Sequence, residues 1–235
     1  TTPFAALVCN FPMPTETDAA LMTHDDVVTF FHEFGHLIHH LTARGPTIKL
    51  AADNEGDFIE APSQLLEEWA WDPKVLSRFG KNAEGKVIPK AFVDAMRKAE
   101  EFGKGIDLAR QLFYAAYSFY LHQETDVADL DLEAWTTKMY ESWSPYPRPE
   151  DDHLYANFAH LIGYKSAYYT YQWSLAIAKD LFGRFKAKGL MDPGVAADYR
   201  ALVLEPGGTA KADDLVRNFL GRERNLDAYR AWITK

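Results

Sequence analysis

Four of the eight histidines of the chain lie within nine residues, in the apolar segment FFHEFGHLIHH that begins at Phe30. His32 and His36 are four residues apart, so on a helix they lie one turn apart on the same face. Two imidazoles in this arrangement can bind one metal ion, and Glu33 borders the same face. The spacing predicts a zinc site in which Glu33 takes a proton from water polarised by the metal.

A core helix whose histidines make local hydrogen bonds is the alternative interpretation of this motif. Gly35 argues against it, because a glycine inside a helix costs about 1 kcal/mol relative to alanine and usually allows another segment to approach closely. His39 lies one turn further along the ligand face. We expect it to be a core histidine or a hydrogen-bonding neighbour of the ligands.

A catalytic zinc ion needs three protein ligands and one open position. Glu60 is the best candidate for the third ligand, because it lies in the amphipathic segment IEAPSQLLEEW, 24 residues beyond His36. Asp57 and Glu67 fall near the same helical face, and we expect Glu67 to orient a ligand imidazole. For Glu68 the pattern predicts a solvated position.

Charge and composition exclude several other classes of protein. The formal net charge of −9 argues against a nucleic-acid partner, because such binding needs a basic surface. No apolar run approaches the roughly 20 residues that span a bilayer, so we expect no membrane partner. The single cysteine, Cys9, excludes an internal disulfide and a cysteine-rich metal site. We expect a cytoplasmic location, although a start without methionine would hide a targeting segment.

Hydrophobic periodicity predicts a mainly helical chain from Thr23 onward. The predicted helices cover residues 24–43, 57–71, 88–123 with a break at 103–105, 130–143, 164–187, 194–203, 211–220 and 224–233. Two strands, at 3–12 and 47–53, are predicted to pair as a small sheet. We therefore expect one mainly α domain over residues 1–235, with a small β-sheet beside the active site.

Segments along nearly the whole chain resemble one family. FHEFGHLIH and DFIEAPSQLLEEW are similar to the two metal-binding segments of the thimet oligopeptidase and dipeptidyl carboxypeptidase family of zinc peptidases. ALVCNFPMPT resembles the strand before its metal helix, HLIGYKSAYYTYQWS its tyrosine-rich segment and LEPGGTAKADDLVRNFLGR its closing motif. The resemblance implies a zincin-type helical catalytic domain, in a family whose members are longer and carry an N-terminal half that lines one side of a deep cleft.

The resemblance also implies which residues form the site. One zinc ion per chain would be bound by His32, His36 and Glu60, with Glu33 as the general base. The family's substrate-binding and oxyanion-stabilising side chains correspond to His160, Tyr164, Tyr168 and Tyr171. The three tyrosines lie at i, i+4 and i+7, which predicts one phenolic stripe on a helix, and an aromatic core stripe is the alternative.

The expected function is zinc-dependent hydrolysis of internal or near-C-terminal peptide bonds in short unstructured peptides. The substrate is expected to lie as an added strand beside Ala5 to Asn10. The alternatives are a catalytically silent helical fragment with a binding role, or a domain active only when paired with an N-terminal half. We expect a second copy of the chain or a separate N-terminal half to cover the cleft.

Overall fold

The protein is described by a computed structural model over residues 3–47, 50, 55–82 and 84–235, and in those ranges it is mainly helical, as predicted. Its helices in chain order are α1 His24–Thr42, α2 Ala61–Glu67, α3 Pro73–Leu76, α4 Lys90–Glu100, α5 Lys104–Leu121, α6 Leu132–Trp143, α7 Leu154–Asn157, α8 His160–Gly163, α9 Thr170–Lys188, α10 Pro193–Tyr199, α11 Ala212–Leu220 and α12 Asp227–Ile233. Two 3-10 segments, Glu68–Trp71 and Gly207–Thr209, and a π-helical segment, Arg200–Leu204, complete the helical structure of the described residues.

The chain divides into two compact units. The first consists of Thr1–Ala99 and Ser174–Lys235, and the second of Glu100–Trp173. The prediction of one catalytic domain over residues 1–235 stays a prediction. None of the helices in the described ranges has the length and apolar character needed to cross a membrane.

Helix α1 begins at a capping box, which explains why the predicted start at residue 24 is correct. The Thr23 hydroxyl accepts a hydrogen bond from the Asp26 backbone N–H at 3.2 Å, and the Asp26 carboxylate accepts one from the Thr23 backbone N–H at 2.8 Å. Two backbone donors that lack a partner within the helix are thereby satisfied.

Gly35 allows α1 and α2 to pack with their backbones in close contact. A Cβ atom added at Gly35 would lie 2.5 Å from Ser63 Cα and 2.9 Å from the Pro62 carbonyl oxygen. The close approach predicted from this glycine is therefore confirmed. Pro62 lies in the first turn of α2, where its missing N–H leaves no helical hydrogen bond unmade.

The core of the first unit joins α2 to the C-terminal helices. Buried side chains there come from the turn before α2, from α2 itself, and from α9 to α11: Phe58, Ala61, Leu65, Ile177, Ala178, Leu181, Phe185, Val195, Val203, Ala212, Leu215, Val216 and Phe219. Full burial of one leucine or phenylalanine side chain stabilises a fold by about 1.5–3 kcal/mol. This packing holds the start of α2 in place beside α1.

The second unit has its own aromatic core between α5 and α6. Phe113, Ala116, Tyr117 and Met139 are buried there. The Tyr117 hydroxyl and the Thr136 hydroxyl are 2.8 Å apart and hydrogen-bonded, which satisfies two polar groups that are shielded from water.

The predicted small sheet is not confirmed. Residues 3–12 form no strand, and of the second predicted strand, 47–53, only Thr47 and Leu50 lie within the described residues. Lys81 and Val87 form the only β-bridge found in the described ranges. A strand is stabilised by hydrogen bonds to a neighbouring strand. Segment 3–12 has no such neighbour among the described residues, and its Phe4 and Val8 side chains are 89% and 80% exposed.

Candidate metal centre

The first unit brings together three of the side chains expected to bind zinc. His32 and His36 on α1 point their Nε2 atoms at the carboxylate of Glu60, which directly precedes α2. Glu60 Oε2 lies 3.1 Å from His32 Nε2 and 3.2 Å from His36 Nε2, and the two imidazole centroids are 4.9 Å apart. Within the described part of the chain, these residues form the only group of three or more metal-ligating side chains of this kind.

The geometry and chemistry of this group fit a zinc ion. Two ligand bonds of about 2.0–2.1 Å at a tetrahedral angle place their ligand atoms about 3.3 Å apart. The distances from Glu60 to the two histidines lie close to this value. Two imidazole nitrogens and one carboxylate oxygen are also a ligand set that catalytic zinc sites use, with a fourth position open.

Burial and a serine hydroxyl fix the carboxylate of Glu60. Glu60 is 1% exposed, and a carboxylate removed from water is costly unless it is paired or binds a metal. The single O–H of Ser63 is shared between Glu60 Oε2 at 3.1 Å and the Glu60 carbonyl at 2.9 Å. The sequence interpretation missed Ser63; the available signal is local, because a serine hydroxyl can hydrogen-bond the backbone carbonyl three residues before it.

Glu67 contacts the other side of the His32 ring. Its Oε1 atom lies 2.7 Å from His32 Nδ1, so Nδ1–H donates to Glu67, while Nε2 is directed at Glu60 and, without a metal ion, donates its own N–H there. Burial lowers the pKa of His32, but hydrogen bonds to Glu60 and Glu67 outweigh burial and raise it to about 10. The site therefore favours a positive charge, and a binding metal ion would displace this proton. Asp57 lies outside the cluster.

Glu33 follows His32 on α1 and interacts electrostatically with the segment that precedes the helix. Burial raises the pKa of the Cys9 thiol, and the negative charge of Glu33 raises it further. Ala5 and Asn10 lie on the same segment and are exposed to solvent. The segment predicted to hold the substrate forms no strand, and Cys9 within it interacts electrostatically with the predicted base.

His39 and Glu68 are both buried in the first unit. Burial, followed by the charges of His36 and His40, lowers the pKa of His39 to about 4, as expected for a core histidine. The solvated position predicted for Glu68 is wrong, because this residue is 6% exposed and forms ion pairs with Arg97 and Lys179. Burial raises the pKa of Glu68, but these two cations outweigh it and lower the pKa below its usual value.

The second unit brings the predicted histidine and tyrosines together in one aromatic cluster. The centroid of His160 lies 5.7 Å from Tyr164, 5.1 Å from Tyr168 and 5.7 Å from Tyr171. Tyr171 is also 5.3 Å from Tyr164 and 5.0 Å from Tyr168. His160, Tyr164 and Tyr171 are half-buried.

The prediction that these tyrosines share one helix is wrong. Tyr164 follows α8, and α9 begins only at Thr170. Between them, Lys165 has a φ of 53°, a left-handed conformation that a continuing right-handed helix does not allow. Tyr168 is buried, and its hydroxyl donates to Gln111 Oε1 at 3.1 Å. Burial, with Tyr171 nearby, raises the pKa of Tyr168 to about 12.

Comparison with known proteins identifies the family. The sequence profile of peptidase family M3 matches residues 1–233, which is nearly the whole chain. The chain belongs to peptidase family M3. The resemblance seen in the metal-binding, tyrosine-rich and closing segments of this M3 chain is therefore confirmed.

Three relatives show the range of activities named within the M3 family. Oligopeptidase A of Escherichia coli is 34% identical over 238 residues, covering 96% of this M3 chain and 34% of the relative. Thimet-like oligopeptidase of Dictyostelium discoideum is 34% identical, and the match covers 97% of this M3 chain and 34% of the relative. Dipeptidyl carboxypeptidase of Salmonella typhimurium is 31% identical, and the match covers 97% of this M3 chain and 34% of the relative. The M3 chain thus spans about a third of the length of these relatives.

Proposed function

We propose that this chain is the catalytic portion of a zinc metallopeptidase that cleaves internal or near-C-terminal bonds of short unstructured peptides. The observation that carries the proposal is the convergence of His32 Nε2, His36 Nε2 and Glu60 Oε2, with Glu33 beside them in sequence. The relatives named oligopeptidase and dipeptidyl carboxypeptidase support peptide bonds as the substrate class.

Each residue of the proposed centre has a separate role. Zinc, when bound by His32, His36 and Glu60, supplies a Lewis acid that polarises water and the substrate carbonyl. Glu33 takes a proton from the attacking water and then donates it to the leaving amide nitrogen. Glu67 holds Nδ1 of His32, which keeps the opposite nitrogen available as a ligand.

The aromatic cluster supplies the proposed contacts to the substrate. Tyr171 or Tyr164 donates a hydrogen bond to the oxygen that becomes negative during attack, a contact worth about 3 kcal/mol in comparable sites. His160 and Tyr168 complete the substrate-binding group. The family resemblance and the short distances between these four rings support this assignment.

The substrate backbone is proposed to pair with the segment from Ala5 to Asn10. Most of this segment is exposed, and Cys9 within it interacts electrostatically with Glu33, which suits an extended peptide added as a strand. Backbone pairing of this kind requires a locally extended substrate, so folded proteins are poor substrates. Whether internal bonds or C-terminal dipeptides are preferred can be measured with matched peptides that end in a free carboxylate or in an amide.

A covering partner is also proposed for the first unit. Phe4, Val8, Met13 and Leu21 are each at least 79% exposed, and large apolar side chains this exposed along one stretch of chain suit an interaction surface. A second copy of the chain or a polypeptide matching the N-terminal portion of the longer relatives would cover it. Light scattering across a dilution series detects self-association, and added N-terminal polypeptide tests the second case.

Metal content measured together with peptide cleavage tests the proposed function. The purified chain is expected to bind one zinc ion and to cleave an internally quenched peptide. Glu33→Gln is expected to keep zinc and lose cleavage, because it removes the base and no ligand. Glu84→Gln, at an exposed position, serves as the matched control with unchanged activity.

Two results would contradict parts of this proposal. Stoichiometric zinc without cleavage would indicate a silent binding fragment, unless added N-terminal polypeptide restores activity. Zinc binding with near-normal cleavage by Glu33→Gln would remove Glu33 from the role of base.

A further inference from the structure

Glu68 is a buried carboxylate that lies immediately after the residue that contacts His32. It begins the 3-10 segment Glu68–Trp71, which directly follows α2. Arg97 Nη2 on α4 lies 2.6 Å from Glu68 Oε2, and Lys179 Nζ on α9 forms a second ion pair with Oε1. Both oxygens of one carboxylate are thus held by cations from two different helices.

Both cations are themselves positioned by aromatic rings. The Arg97 guanidinium carbon lies 4.9 Å from the centre of the Trp71 ring, and Lys179 Nζ lies 4.9 Å from that of the Trp232 ring. Such cation–π contacts are strongest where water is excluded. The ion pairs therefore have defined geometry, unlike exposed pairs on mobile side chains.

The remaining residues of the 3-10 segment are fixed as well. The Trp69 ring packs on Phe185 with centroids 5.0 Å apart, and Trp71 contacts the ring of His24 at 4.2 Å. His24 Nε2 also hydrogen-bonds the Ala70 carbonyl at 2.9 Å. Helices α1, α4 and α9 therefore all hold this four-residue segment.

We propose that Glu68 is a positioning residue for the metal centre and acts through Glu67. The two ion pairs of Glu68 fix the backbone at the end of α2, so that Glu67 stays against Nδ1 of His32. The ring of His32 is then held in the orientation that directs Nε2 toward Glu60. This inference rests on the zinc site proposed above.

A purely structural role would not need this arrangement. Buried ion pairs often contribute no more stability than apolar side chains of similar volume, because removal of charge from water offsets their attraction. In some proteins such pairs instead specify position, since each charge must meet its partner in one geometry. The carboxylate of Glu68 is held from two directions at a point one residue from the contact with His32.

Zinc affinity measured by competition with a chromophoric chelator tests the inference. Glu67→Gln is expected to weaken zinc binding by about 10–100-fold, the usual effect of losing a group that orients a ligand. Glu68→Gln is expected to weaken it by about 10-fold by freeing Glu67. The double variant is expected to bind as the Glu67→Gln variant does, because the effect of Glu68 passes through Glu67.

Asp180→Asn provides the matched control. Asp180 is 3% exposed, lies next to Lys179 on α9 and pairs with Arg222 at 2.9 and 2.5 Å. Its loss is expected to lower the melting temperature and to leave zinc affinity unchanged. Should Glu68→Gln fail to fold, Lys179→Met removes one ion pair only and is expected to reduce zinc affinity by a smaller factor.

Three outcomes would overturn the inference. Parent-like zinc affinity in folded Glu68→Gln would show that the ion pairs stabilise the fold without positioning Glu67. The double variant could also lose zinc affinity by the full product of the two single-variant factors. That result would show that Glu68 acts by a route other than Glu67. If the parent chain binds no zinc, this inference fails together with the proposed function, whereas the first two outcomes leave that function standing.

Discussion

Replacing Gly35 by alanine should damage the fold and the metal centre together. The new Cβ would lie 2.5 Å from Ser63 Cα and 2.9 Å from the Pro62 carbonyl oxygen, both of which are backbone atoms. Carbon atoms in contact lie about 3.5–4.0 Å apart, so α1 and α2 must separate by about 1 Å. No change of side-chain rotamer can relieve this contact.

The expected loss of stability follows from two opposing effects. Alanine in a helix interior gains about 1 kcal/mol over glycine, whereas overpacking costs typically about 1–3 kcal/mol. With rigid backbone on the facing side we expect a cost near 3 kcal/mol, and hence a net loss of about 2 kcal/mol. For a chain of this length that lowers the melting temperature by roughly 4–8 °C.

The metal centre should respond to the same displacement. Glu60 precedes α2 and its Oε2 lies 3.1 Å and 3.2 Å from the two ligand nitrogens on α1. Metal–ligand distances tolerate deviations of about 0.2 Å, so a shift near 1 Å should weaken zinc binding more than about 10-fold. Calorimetric melting of the metal-free chain and chelator competition measure the two effects separately.

Gly183→Ala is the control for this substitution. Gly183 lies inside α9, is exposed, and an added Cβ would meet nothing within 4 Å. We expect the free energy of unfolding to rise by about 1 kcal/mol through helix propensity, and zinc affinity to stay unchanged. If Gly35→Ala melted like the parent and bound zinc as tightly, the close approach of α1 and α2 would not be what this glycine provides.

Three further predictions concern the ligands, the phenols and a buried histidine. His36→Ala and Glu60→Ala should each abolish tight zinc binding by competition titration, because each removes one of three protein ligands; parent-like affinity in Glu60→Ala would require another third ligand. Tyr171→Phe or Tyr164→Phe should lower kcat by about 100-fold with little change in melting temperature, and parent-like kcat in both would favour the aromatic-core interpretation. The pKa of His39 falls from 6.5 in the unfolded chain to about 4 in the folded one, so protonation favours the unfolded chain. The contribution of neutral His39 to the free energy of unfolding is therefore complete above pH 6.5 and lost as the pH falls through 4. The metal-free parent should lose about 3 kcal/mol of unfolding free energy over that range by denaturant titration, and His39→Gln should lose less.

The parts of this protein that were predictable from sequence depend on local information. The capping box at Thr23 and the helical periodicity that follows it fix where α1 begins. The spacing of His32 and His36 places their rings on one face, and Gly35 indicated that another segment lies close by. The resemblance to the family identified the segment that carries Glu60.

The errors arose where distant segments decide the structure. The local pattern predicts a solvated Glu68, because its ion-pair partners are 29 and 111 residues away in sequence and leave no signal near it. The apolar run at residues 3–12 predicted a strand, but a strand also requires a neighbour, which the run itself does not specify. The tyrosine periodicity predicts one helix, but the left-handed backbone at Lys165 interrupts the helix. The tyrosine rings contact one another through tertiary packing instead. A cytoplasmic location stays a prediction.

The position of Cys9 gives the chain a built-in chemical reporter. Cys9 is the only cysteine in the sequence, and the charge of Glu33 acts on its thiol. Alkylating reagents attack the thiolate, so burial and the charge of Glu33, which raise the pKa of this thiol, slow its labelling at neutral pH. Glu33→Gln should therefore accelerate alkylation, and a peptide bound beside Ala5 to Asn10 should retard it. The rate of modification at one native sulfur atom can thus follow substrate occupancy in a variant that no longer cleaves the peptide.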